Sequence, residues 1–169
     1  MNTKLIRLIA LLGIGFALAA AAGIDGKISD YGIFKETGDQ DSFGAPQSPS
    51  GVGHIIHSPP MLVATTNRIP AKLGIGFGVA YEVQNPAAED GEQLNAEIRV
   101  SYPSITRPDG SISKSFTTYN QSFYQKHKAI GSIVYTFDHD YEVVTGTWRF
   151  EVTVGGKLIG NKEFTVYRE

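Results

Sequence analysis

From Ala71 onward, apolar and polar residues alternate along the chain with a period of two. In residues 94–102, Leu94, Ala96, Ile98, Val100 and Tyr102 share one face, while Asn95, Glu97, Arg99 and Ser101 share the other. Side chains of an extended backbone point to opposite sides in turn, so one face meets a core and the other meets water. Trp148, Phe150, Val152 and Val154 repeat the pattern against Thr147, Arg149, Glu151 and Thr153. Leu158, Phe164 and Val166 are expected to answer them across Gly155-Gly156, because paired glycines supply the positive φ angles of a two-residue hairpin turn. Further strands are expected at residues 28–35, 52–56, 73–83, 112–119 and 130–137, with no helix of useful length. Asn85-Pro86, Asp90-Gly91, Pro108-Asp109-Gly110 and Thr145-Gly146 punctuate them with turn residues. About seven to eight antiparallel strands so punctuated predict an all-β, two-sheet sandwich.

The first residues follow another rule. Lys4 and Arg7 precede an apolar run at 8–18, followed by Ala19, Ala20, Ala21, Ala22 and Gly23. A charged start, an apolar middle and small residues at the end make a secretory signal peptide, with Ala20 and Ala22 flanking the cut. Residues 1–22 are therefore expected to be the signal peptide and 23–169 a single domain, large enough to bury a core without staples. The expected address is periplasmic or secreted, with no stable membrane insertion after cleavage. The chain has no cysteine, which excludes disulfides and lipid attachment at a cleavage-site thiol. Lys+Arg number 15 and Asp+Glu 17; removing Lys4 and Arg7 leaves 13 against 17, a mature charge of about −4. Nucleic acid is not an expected partner, because binding to phosphate backbones needs a basic surface. An outer-membrane barrel is disfavoured as well: Glu97, Arg99, Arg149 and Glu151 would have to face lipid.

Residues 38–60 differ in composition, being rich in Gly, Ser, Pro, Asp and Gln and interrupted by Phe43 and the 52–56 segment. They predict a long loop containing one short strand, and loops of this length are commonly functional or mobile.

Within it, His54 and His57 are the leading metal candidates, with His139 or Asp140 as a third ligand. Two histidines three apart diverge on an extended strand, so joint ligation requires a bend near Ser58-Pro59-Pro60, and no metal or other cofactor is expected. Asp138-His139-Asp140 sets a base between two carboxylates, but no nucleophile in the sequence completes a catalytic set. Asp39-Gln40-Asp41-Ser42-Phe43-Gly44 opens like a calcium loop, yet Phe43 stands at a ligand position and Ser50 where a bidentate Glu belongs. Gly74, Gly76 and Gly78 alternate with Leu73, Ile75, Phe77 and Val79, baring one strand face for close approach by a neighbour. Tyr119, Phe123 and Tyr124 with Lys126, His127 and Lys128 form an aromatic and basic cluster suited to sugars or a membrane surface, or to burial at a strand end.

Asp30-Tyr31-Gly32-Ile33-Phe34, then Ile69-Pro70-Ala71-Lys72-Leu73-Gly74 leading into Phe77-Gly78-Val79-Ala80-Tyr81, and Gly146-Thr147-Trp148-Arg149-Phe150 with Phe164-Thr165-Val166, resemble a bacterial domain-of-unknown-function family. The resemblance spans nearly the whole mature chain and implies an exported immunoglobulin-like sandwich. Its motifs are strand and turn residues, so it assigns no catalytic residue. The missing cysteine pair sets the chain apart from antibody-type domains. The expected function is a non-catalytic periplasmic module that binds or supports an unidentified macromolecule through edge strands or end loops. The alternative is a small-ligand carrier or hydrolase with residues 38–60 as a lid near His54 and His57.

Overall fold

The computed structural model describes residues 23–56 and 58–168, and the expected signal peptide lies outside them. The described chain is all-β. One sheet is formed by β1 (Asp25–Lys35), β4 (Met61–Ala64), β6 (Gly76–Gln84) and β9 (Lys128–Thr136), in the order β4-β1-β6-β9. A second contains β5 (Arg68–Pro70), β7 (Gln93–Thr106), β8 (Ile112–Phe123), β10 (Gly146–Val154) and β11 (Lys157–Tyr167), in the order β5-β11-β10-β7-β8. The sheets face one another as an immunoglobulin-like sandwich. A third element, the hairpin of β2 (Gln40–Gly44) and β3 (Val52–Ile56), pairs with neither.

Alternation works as anticipated on β7 and β10: Ala96, Ile98, Val100, Trp148, Phe150 and Val152 are all fully buried. Between the sheets the core is largely aromatic. The Phe77 ring meets Tyr135, Phe137, Trp148, Phe150 and Phe164 at centroid separations of 5.3 to 6.2 Å, mostly edge to face. Rings at such separations gain a favourable edge-to-face contribution beyond the area they bury. The Trp148 indole N–H finds the Val144 carbonyl at 3.3 Å, so its one polar atom is not left bare.

Several expectations need correction. Gly155 and Gly156 do make the hairpin turn, at φ 56° and 79°, but Leu158 faces solvent and Ile159 takes the core position. The cause is a bulge: Val152 pairs with Gly160 and Thr153 with Leu158, so one residue of β11 has no opposite and the side-chain parity flips. β6 begins at Gly76, three residues later than the alternation suggested, because Gly74 turns at φ 76°. The pairing of β5 with β11 is parallel, an exception to the antiparallel rule elsewhere. Three short strands, β2, β4 and β5, went unpredicted, being too brief to establish a period. Gly78 does serve close approach: a Cβ there would strike the Ile133 carbonyl of β9.

Candidate functional site

At one end of the sandwich, β1, β7 and β9 finish and β10 begins, so residues 36–56, 58–60, 107–111 and 137–145 gather there. The β2–β3 hairpin acts as a strap within this group. Its tip, residues 45–51, is pinned by Arg107 at the end of β7, whose Nη2 donates to the carbonyls of Gln47 at 3.1 Å and Ser48 at 2.9 Å. Ser48 is buried, and its hydroxyl donates to the carbonyl of Ala45 at 2.9 Å. Along the strap, Phe43, Val52 and Ile55 remain exposed, with Ile55 at 54 %. The loop expected across 38–60 therefore holds two paired strands, with the Phe43 ring lying across Gly53 where no larger residue fits.

The site candidates scatter on this frame. His54 lies on β3 opposite Ser42 of β2, its Nδ1 3.1 Å from the Ser42 hydroxyl. His57 lies outside the described residues. His139 stacks on Tyr141 with centroids 5.2 Å apart and planes 12° from parallel. Among the described residues, no group of three His, Cys, Asp or Glu is placed to hold a metal ion. The would-be calcium loop is strand β2. Of the aromatic cluster, Tyr124 is buried while Tyr119 and Phe123 are exposed.

Two carboxylates that the sequence did not single out matter more. Glu142 is only 1 % exposed. Its Oε1 accepts the Tyr135 hydroxyl at 3.0 Å, and its Oε2 accepts the N–H groups of Asp138 at 2.9 Å and His139 at 3.0 Å. Burial pushes its pKa above the ordinary range, against the pull of these donors. Its role is to fix the 138–142 turn over the core. Glu36, just past β1, is also raised, chiefly by burial; nearby His54 opposes the shift and Asp138 adds to it. Glu36 borders a cleft of about 400 Å³ lined in part by Ile33, Phe34, Val63, Ile75 and Thr136. A buried Glu one turn after an Asp-His-Asp run and a Glu at a strand end carry no periodic signal, so only the folded chain reveals them.

No helix among the described residues is long and apolar enough to cross a membrane. The geometry thus offers a strap, a shallow cleft and exposed strand faces. No curated protein matches the sequence. Among solved structures, an immunoglobulin-like protein of Pseudomonas aeruginosa is similar at 23 % identity and a TM-score of 0.57, over 85 % of this chain and 97 % of that one. A β-glucosidase of Kluyveromyces marxianus matches at 11 % identity and a TM-score of 0.42, over 85 % of this chain but 14 % of the enzyme. An alkylpurine DNA glycosylase of Pseudomonas fluorescens matches at 14 % and 0.42, over 60 % and 28 %. The first shows the fold; the other two are too distant to carry any argument. The sequence itself matches the family described as Domain of unknown function (DUF3859) across residues 24–166, nearly all of the described sandwich, and the chain belongs to that family.

Proposed function

We propose that this protein is an exported, non-catalytic binding module that engages a macromolecular partner through the strap and neighbouring strand edges. The observation that carries this reading is the strap itself. It stands outside both sheets and keeps Phe43, Val52 and Ile55 in water, although the aromatic core is complete without them. Exposed apolar groups gathered on one projecting element favour recognition over stability. Export rests on the signal-peptide pattern of residues 1–22, so the protein released by osmotic shock should begin at Gly23. A photo-crosslinking amino acid at position 55 of the chain in its native cells tests the binding surface. A discrete covalent adduct from position 55, absent from the exposed Lys27 at the far end of β1, supports it; equal labelling from both positions overturns it.

A second reading, a small-ligand carrier or hydrolase lidded by residues 38–60, draws on the Ser42–His54 pair and the cleft beside Glu36. A serine hydroxyl bonded to a histidine is the start of a nucleophilic set. The pair is exposed on the strap. Hydrolysis of p-nitrophenyl acetate that disappears in Ser42→Ala would favour this reading over the first.

A further inference from the structure

We propose that the outer face of β7 and β8, at the end away from the strap, is a strip that stacks a neutral polysaccharide chain on Tyr119 and Phe123. The two rings are 68 % and 59 % exposed. Four residues apart on one strand, they share a face and stand about 13 Å apart along it. Strand register fills the space between them with amides. Tyr119 pairs with Glu97, Gln121 with Asn95, and Phe123 with Gln93. Gln93 Nε2 donates to Asn95 Oδ1 at 2.7 Å, and the Tyr119 hydroxyl reaches Glu97 Oε2 at 3.5 Å. Aromatic faces suit the C–H faces of pyranose rings, while amides both donate and accept, as sugar hydroxyls do. A sugar chain lying along β8 meets both kinds of partner.

Charge selects among possible occupants. Farther along the same sheet face, Arg149 is bonded to Glu151 at 3.1 Å and to Glu163 at 3.8 Å, so these charges are already matched. The strip itself carries only Glu97; the one cation next to it on this face is the exposed Arg99, which stands opposite Glu151 of β10 in the register, and Lys128, on β9 of the other sheet, is held by Glu82 at 2.8 Å. A polyanion or an anionic bilayer finds little to neutralise here, whereas an uncharged polymer loses nothing. The strip is also held rigid from beneath and at its end. On the inner side of β8, Asn120 accepts the Tyr81 hydroxyl at 2.8 Å and donates to the Ser132 carbonyl at 3.0 Å. Past Phe123 the chain turns through Lys126 and His127 at φ 51° and 64°. Two successive non-glycine residues in left-handed backbone are strained, and such strain concentrates at functional surfaces. The turn is clasped by the Lys126 N–H to Asp90 at 2.6 Å and by His127 Nδ1 against the Ala88 carbonyl at 2.9 Å. Rigid aromatics lose little freedom on binding.

The inference rests on the reading of a binding module but uses a surface remote from the strap, so crosslinking at position 55 and sugar binding succeed or fail separately. Calorimetric titration of the mature chain with cellohexaose, chitohexaose and maltohexaose tests it. At least one hexasaccharide should bind, at least tenfold more weakly after Tyr119→Ala with Phe123→Ala, and without change after Leu158→Ala. Because both rings are exposed, the melting temperature should stay unchanged. Should the double variant fold poorly, Asn95→Ala with Gln121→Ala must weaken the same titration. Absence of binding to all three sugars overturns the proposal, as does binding that survives the aromatic substitutions. Binding to phosphatidylglycerol vesicles, lost in those variants while no sugar binds, would assign the strip to membranes instead.

Discussion

Glu142 accepts three hydrogen bonds in a site almost closed to water, and each of its partners depends on it. Glu142→Ala leaves a hydroxyl and two backbone N–H groups without an acceptor, at ~1–3 kcal/mol apiece before any water enters, so a loss of about 2–4 kcal/mol is expected in denaturant unfolding. Glu142→Gln should be far milder, since its amide oxygen can take both N–H groups while its NH2 turns to the Tyr135 oxygen. The pH dependence separates the two kinds of residue further. A carboxyl raised in the folded state binds its proton more tightly there than in the unfolded chain. It therefore adds stability below the ordinary glutamate value, and this is lost as pH rises through the folded value. Denaturant midpoints should fall with rising pH across that window and fall less in Glu142→Gln. The slope that remains should shrink again on adding Glu36→Gln, because Glu36 is raised in the same direction. Trp148, fully buried among Tyr102, Tyr135 and Phe137, should cost about 3–5 kcal/mol on truncation to Ala, read from the same transitions.

Among the elements, two hairpin turns share one geometry and differ in sequence. Gly155 and Gly156 turn at φ 56° and 79°, while Lys126 and His127 turn at 51° and 64°. Glycine adopts these angles freely; an L-residue with a side chain gives up ~1–2 kcal/mol. Lys126→Asn should therefore raise the melting temperature by a few degrees, because asparagine tolerates left-handed backbone and the N–H to Asp90 is kept. His127→Gly should gain less, since it also forfeits the bond to the Ala88 carbonyl. This contrast also explains what could be read in advance. The β10–β11 turn announced itself in two glycines, whereas the β8–β9 turn is imposed by contacts with residues 85–92 that no local pattern reveals. Long alternating runs such as residues 93–102 of β7 and the whole of β10 were legible because each residue in them obeys one burial rule. The bulge that exposes Leu158 was not, since a parity change leaves no trace in composition. The candidate site was hidden for a related reason: Arg107 acts on backbone far away in the sequence, where only the register of whole strands brings it, and Glu142 closes its own turn but is buried only because that turn lies over the core.

At the scale of the molecule, protection should follow the layers. Amides of β6 and β10, central in their sheets, should exchange slowest, and those of residues 38–60 fastest, because the strap's pairing is confined to its own two strands. Within the strap, residues 45–51 should be slower than its flanks, and Arg107→Ala should remove that difference while leaving the core rates alone. Hydrogen-exchange mass spectrometry resolves both.

The parallel pairing of β5 with β11 bears on how the domain responds to tension. β1 starts at the end where Lys157 Nζ grips the Ile24 carbonyl, and β11 finishes at the other end, beside β5. A pull applied at Gly23 and Arg168 therefore runs along the strands: β1 must slide past β6, and β11 past both β10 and β5. Their hydrogen bonds are loaded together in shear and cannot be opened one after another like a zip. Resistance to forced unfolding is set by the height of the barrier out of the native state. The short parallel strand β5, which buries only Ile69 in the core, raises that barrier by anchoring β11 at the end where the load is applied.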